Sequence, residues 1–158
     1  IDAGHRRIAF FYGAASATGR QRLQCYQEAM AAAGLAPVAQ APKPTADEAS
    51  AAMRRFLQES GSLPDAVVAS SGLILLGLVQ ALREADLRFP DDVALAGFDD
   101  MPWTRVVTPA ITVMAQPTYD IGRSAIERLL ARIAQPEQAV HRIVLRGELL
   151  VRGSSAAR

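Results

Sequence analysis

Along this chain, short and wholly apolar runs alternate with longer stretches whose apolar residues recur every three or four positions. The first kind suits strands buried on both faces, and the second suits helices lying against a sheet. Ile8-Ala9-Phe10-Phe11-Tyr12, ended by Gly13, predicts a strand feeding a loop. Thr18 with Gln21 three residues on forms a capping-box signature. It predicts a helix carrying Leu23, Tyr26, Met30 and Ala33 on one side and stopped by Gly34. Residues 37–40 read as weakly extended and 41–44 as a Pro-rich loop, after which Thr45 and Glu48 form a second capping box opening a helix over 46–59.

Residues 61–64 break that helix, and Ala66-Val67-Val68-Ala69 is a short strand without a polar face. Ser70-Ser71-Gly72 then opens a helix over 73–85, in which Leu73, Ile74, Leu75, Leu76, Leu78, Val79 and Leu82 surround the axis instead of forming one stripe. Such a helix needs two partners, its own sheet and something more. Asp91 to Gly97 reads as a turn and a buried strand closing on Phe98-Asp99-Asp100; an irregular segment over 101–109 leads to a strand over 111–115. The last helix, 119–133, is amphipathic, with Ile121, Ala125, Ile126, Leu129, Leu130 and Ile133 opposite Arg123, Arg128 and Arg132. Two extended segments follow, 142–145 and 148–151, with Arg146-Gly147 as a kink, before the small and polar tail 153–158. Strand and helix in alternation predict an α/β fold with a mostly parallel sheet flanked by helices.

Composition narrows the function. With 158 residues, half of them apolar, the chain matches one ordinary globular domain. Seventeen basic residues against sixteen acidic ones leave a net charge of +1, so no chain-wide field draws it to nucleic acid or to an anionic membrane. A DNA contact would need another segment. Cys25 is the single cysteine and His5 and His141 the only histidines, which leaves no thiolate cluster or disulfide framework and predicts no metal site and no cofactor. The opening residues lack the apolar core of a signal peptide, and the expected setting is cytoplasmic. The chain starts without Met and enters a strand almost at once, so we expect it to be part of a longer protein.

Catalytic signatures are missing: there is no G-x-G-x-x-G, P-loop, H-E-x-x-H or G-x-S-x-G, and Cys25 has no nearby His. The adjacent Asp99 and Asp100 resemble an acid pair, but neighbours at a strand end point apart, and no enzyme activity is expected. Polar residues do gather where ligands sit in open α/β sheets, at the carboxyl ends of the strands. Arg22 lies near the start of the first helix, Ser71 follows the third strand, Asp99 the fourth and Gln116 the fifth. Arg and Asp together supply opposed donors and acceptors for hydroxyl pairs, as a sugar or small polar effector requires. A structural ion pair between Arg22 and Asp99 is the alternative.

The order of the segments carries a resemblance. Gly4-His5-Arg6-Arg7-Ile8-Ala9-Phe10, Arg20-Gln21-Arg22-Leu23 with Tyr26, Ala85 to Val93, Gly97-Phe98-Asp99-Asp100, Thr108 to Val113, Gln116-Pro117 and Leu150-Val151-Arg152-Gly153-Ser154 together resemble the LacI/GalR family of sugar-responsive regulators over nearly the whole chain. The resemblance implies the C-terminal lobe of a periplasmic-binding-protein-like effector domain, formed by 1–115 and 140–153. Residues 116–139 would cross toward an N-terminal lobe, with a helix-turn-helix headpiece before that, and operator DNA would be held only through the headpiece.

It also implies effector contacts from Arg22 and Asp99, with Gln116 either touching ligand or bracing the crossover. Trp103 is read either as stacking on a sugar face or as packing the surface. The loop that usually reads Asn-Asp in that family is Ser71-Gly72 here, which points to an effector other than an unmodified hexose. Family members dimerise, and the surplus apolar residues Leu75, Leu76, Leu78 and Val79, with Val106 and Val107, are the expected homodimer seam. A periplasmic-type sugar-binding protein is the runner-up. An enzyme on a nucleotide-binding sheet lacks its Gly-rich turn.

Overall fold

In a computed structural model, which describes residues 1–156, the apolar runs assemble into a single six-stranded sheet of order β2-β1-β3-β4-β5-β6. The strands are β1 (Ile8–Phe11), β2 (Val38–Gln40), β3 (Ala66–Ala69), β4 (Ala94–Phe98), β5 (Thr112–Ala115) and β6 (Glu148–Leu150). The first five run parallel, and β6 returns antiparallel on β5, with Met114 opposite Leu149. The helices are α1 (Ala17–Ala32), α2 (Ala46–Glu59), α3 (Gly72–Glu84), α4 (Pro102–Val106) and α5 (Thr118–Ala134).

The strand order turns about β1 and β3: the chain first builds to one side, through β2, and then to the other. Loops leaving β1 and β3 therefore diverge, and a crevice opens between them at the carboxyl edge. All four residues of β1 are buried, as expected for an inner strand covered on both faces. On one side, Phe11, Val67, Leu95 and Val113 meet Met53 and Phe56 from α2 and Ile74, Leu75, Leu78 and Leu82 from α3. On the other, Ile8, Ala66 and Ala94 meet Met30 of α1, with Tyr26 packed beside them.

Two helices approach closely because glycine lets them. A Cβ on Gly77 of α3 would overlap the Ala46 carbonyl oxygen and come within 2.7 Å of the Ala49 side chain. Most of the apolar surround of α3 is thus covered by α2 on one side and the sheet on the other, while Leu73 stays 56 % exposed. This corrects the expected dimer seam: Leu75 and Leu78 are 0 % exposed and Val79 is 5 % exposed, so none has surface to offer a partner. Leu76 is half-buried and Val107 packs against the core, while Val106 is 79 % exposed.

Three local expectations change. The α1 cap is Ser16, whose Oγ accepts from the Gly19 N–H at 3.3 Å, while Thr18 lies inside the first turn with its hydroxyl 2.7 Å from Ser16 Oγ. Thr45 does cap α2, accepting from the Glu48 N–H at 3.3 Å, but Glu48 pairs with Lys43 at 3.1 Å. Residues 101–109 contain the one-turn helix α4, started by Pro102, and residues 142–145 join no sheet. The β5 edge is taken instead by β6.

Helix α5 has the predicted stripe, and the extended segment 141–145 runs along part of it without burying any of its residues. None of its residues is buried, and Ile126, Leu129, Leu130 and Ile133 are all more than half exposed. After it the chain is re-anchored. The Ser154 hydroxyl donates to the Leu95 carbonyl at 2.6 Å and accepts from the Thr112 N–H at 2.9 Å. Gly153 presses on Pro109, where a Cβ would sit 2.8 Å from the ring carbon. Of the tail read as small and polar, Ala157 and Arg158 lie outside the described residues.

Candidate functional site

At the carboxyl edge, the loops after β1, β3 and β4 and the opening turns of α1 and α3 enclose a cavity of about 540 Å³. Arg22, Ser71, Asp99 and Trp103 all line it, together with Gly13, Ser70, Gly72 and Leu76. Leu76, expected at a dimer seam, also forms part of this wall. Gln116 does not line the cavity, but its side-chain amide donates to Asp99 Oδ1.

The site rests on Asp99. This residue has φ of +72°, a left-handed conformation that costs a non-glycine residue energy and that Asp tolerates better than most. Holding it there turns the carboxylate across the loop, where Oδ2 accepts the Gly72 N–H at 3.0 Å and so caps the start of α3 alongside Ser71. Ser71 Oγ accepts from the Ile74 N–H at 3.4 Å. A side chain at position 72 would crowd this contact, since a Cβ there lies 3.2 Å from Met101 Cγ and 3.6 Å from the Asp99 carboxylate.

Asp100 points elsewhere. Its carboxylate takes Arg105 Nη2 at 2.6 Å and Arg152 Nη2 at 2.8 Å, and Thr104 Oγ1 lies 3.1 Å away. Arg105, then Arg152 and Thr104, hold the Asp100 carboxyl at about 2, against the opposing effect of burial. Arg152 also donates to the Ile111 carbonyl at 3.0 Å, so the segment after β6 is riveted to the loop that carries Asp99.

Arg22 projects from the first turns of α1 over the ring of Phe98, with Cζ 3.9 Å from the ring centroid, and donates from Nη1 to the Ser70 carbonyl. Burial lowers its pKa, and the charge of Asp99 pulls it back. No carboxylate among the described residues forms an ion pair with it. The structural Arg22–Asp99 pair is therefore not formed, although both side chains face the same space. Ser70 closes the base of the site, its Oγ accepting from the Gly13 N–H at 3.3 Å. Gly19 lies so close to the Gly13 carbonyl that any Cβ would overlap it.

Ser70, Phe98, Gly13 and Gly19 escaped the sequence reading, because a carbonyl acceptor and a close backbone approach leave no side-chain signature. Phe98 had a signal, being apolar and adjacent to Asp99. Among the described residues there is no group of three or more His, Cys, Asp or Glu able to hold a metal, and no helix is long and apolar enough to cross a membrane.

Comparison with known proteins agrees with this architecture. The chain is 38 % identical over 108 residues to the HTH-type transcriptional regulator KdgR of Bacillus subtilis, covering 68 % of this chain and 32 % of that one. It is 36 % identical to the ribose operon repressor of Escherichia coli over 98 % of this chain and 48 % of the repressor. The solved complex of the transcriptional regulator CelR with cellobiose superposes with a TM-score of 0.90 at 37 % identity, covering 98 % of this chain and 48 % of that one. The chain thus spans about half the length of the ribose repressor and of CelR. A model of the periplasmic binding protein-like domain matches residues 1–155, and the chain belongs to that domain family in the form carried by LacI-type transcriptional regulators.

Proposed function

We propose that this chain is the effector-binding part of a cytoplasmic, LacI-type bacterial regulator that senses a sugar or another small polar metabolite and acts by binding, without turnover and without a cofactor. One observation carries the reading: Arg22, Ser71, Asp99 and Trp103 line one cavity, with Gln116 bonded to Asp99 from the crossover side. Arg22 and Asp99 grip the ligand, Trp103 offers an aromatic wall, and Gln116 ties the ligand-bound state of Asp99 to residues 116–139, the crossover toward a second lobe. Ligand that contacts both lobes favours the closed arrangement by its difference in affinity for the two. In the whole protein that shift reaches a homodimer and operator DNA held by a headpiece, with Val106 the surface apolar residue of the seam. The same cavity in a periplasmic-type sugar carrier is less favoured, because the relatives that share these segments are transcriptional regulators.

The test is a thermal-shift screen of the full-length protein against sugars, sugar acids and sugar phosphates, repeated with Asp99→Ala. A ligand at about 100 times its Kd raises stability by about 2.7 kcal/mol. The reading expects that gain to vanish in Asp99→Ala. A hit that survives the substitution places the effector elsewhere.

A further inference from the structure

Resting on the reading of this cavity as the effector site, we infer that Phe98 is a positioning residue: its ring holds the Arg22 guanidinium at the cavity wall and off the Asp99 carboxylate, which keeps both groups open to ligand hydroxyls.

Arg22 and Asp99 line one cavity with opposite charges, yet no ion pair joins them. Charge alone would draw them together, since Asp99 acts on Arg22 against the effect of burial. Two other contacts hold the guanidinium: Nη1 donates to the Ser70 carbonyl, and Cζ lies 3.9 Å from the centroid of the Phe98 ring. A cation over an aromatic face is attracted to it, more strongly where water is kept away.

The ring is the fixed partner of the two. Phe98 ends β4, in register with Met114 of β5. Side chains alternate along a strand, so Gly97 faces α3, where a Cβ would come 2.7 Å from the Leu75 side chain, and Phe98 faces α1. A slip of one residue would turn the ring into α3. An arginine side chain is long and loses much rotamer freedom when it is held, so a rigid strand end is a suitable place from which to hold it.

Phe98 does not itself line the effector cavity. It lines a groove of about 470 Å³ beside α1, together with Thr18, Gln21, Cys25 and Tyr26, and Arg22 lines both spaces. The ring is not ordinary core packing either: Phe98 is half-buried and joins neither core cluster, and Phe10 stacks on Tyr12 and Tyr26 without it. Phe98 therefore acts on ligand through Arg22. The groove lining contains no carboxylate, so a guanidinium released from the ring closes on Asp99, and the effector has to break that pair before it can bind.

The experiment compares Phe98→Leu, which removes the ring, with Phe98→Tyr, which keeps it. Binding of D-ribose, D-glucose and cellobiose to the full-length protein is read by calorimetry, with Asp99→Ala as the control for the site and unliganded thermal midpoints confirming that each variant folds. We expect Phe98→Leu to weaken the tightest of these sugars about tenfold and Phe98→Tyr to stay within about threefold of the parent. In a crystal structure of unliganded Phe98→Leu, Arg22 is expected to leave the Ser70 carbonyl and to come within about 4 Å of the Asp99 carboxylate. Parent-like affinity in Phe98→Leu, an equal loss in Phe98→Tyr, or an Arg22 that keeps its place without the ring would overturn the inference and leave the effector reading standing. Binding that survives Asp99→Ala, or no binding by any of these sugars, would bring down the effector reading and the inference with it.

Discussion

Helices α3 and α5 are both rich in leucine and isoleucine, and the fold treats them in opposite ways. On α3, seven of the thirteen residues are buried, because α2 and the sheet close on it from two sides. On α5, a regular amphipathic stripe runs the length of the helix and not one residue is buried. The apolar surround of α3 looked like a surplus requiring another chain, yet most of it is buried inside the domain. The stripe of α5, on a segment expected to cross toward another lobe, faces outward with none of its residues buried. Periodicity reports how much of a helix wants covering, but the chain's path decides what is available to cover it.

The largest expected effect sits on α3. Leu78 is fully buried between α2 and the sheet, and Leu78→Ala removes its methyl groups from a site with little freedom to collapse. The loss should be about 3–4 kcal/mol, read from urea unfolding. A loss below about 1 kcal/mol would mean that α3 is not the closed core element described here.

Next in size is the rivet that ends the α5 excursion. Asp100 joins Arg105 of α4 to Arg152 after β6, so it holds the return of the chain and, next door, the strained backbone of Asp99. Asp100→Asn leaves the part-buried Arg152 guanidinium short of its anion while the exposed Arg105 turns to water, and we expect a loss of about 1–3 kcal/mol together with weaker effector binding. A variant as stable as the parent would remove the rivet from the account.

The pH dependence follows from the same carboxyl. Its pKa is about 2 in the folded protein against 3.8 as the ordinary value, so its contribution is complete above about pH 4 and is lost as pH falls through 2. Asp65, held down chiefly by the backbone N–H groups of Arg7 and Arg6, adds in the same direction. Urea midpoints should therefore drop between pH 4 and pH 2, and the drop should be shallower in Asp100→Asn. Equal slopes in the two proteins would assign the acid sensitivity to other groups.

These cases show what could be read from the sequence. The strands β1, β3 and β4 were legible because an all-apolar run bounded by turn residues has few other uses, and α2 because Thr45 occupies the one cap position available. At α1 two hydroxyls compete, Ser16 and Thr18, and the backbone turn after Gly13 decides for Ser16. Arg22, Ser71, Asp99 and Gln116 were expected at one edge because strand ends define that edge; the first three line the cavity, and Gln116 reaches it only through Asp99. That Asp99 would be occupied by Gly72 and Gln116, leaving Arg22 without an anion, depends on a left-handed φ and a loop path that no residue type announces.

The smallest expected effect is also the sharpest test of the contrast. Leu130 is 60 % exposed on α5, where polar substitution exchanges water for water. Leu130→Ser should change the stability of the chain by no more than about 0.5 kcal/mol, measured by urea unfolding, against the several kcal/mol expected for Leu78. A comparable loss at Leu130 would mean that the stripe is covered in solution, by a second copy or by refolding onto the sheet. Sedimentation at rising concentration separates those two cases: a copy-covered stripe shifts toward dimer, and a refolded one does not. A near-zero effect, with the chain monomeric throughout, would leave α5 as the one element of this domain whose apolar face is held in reserve.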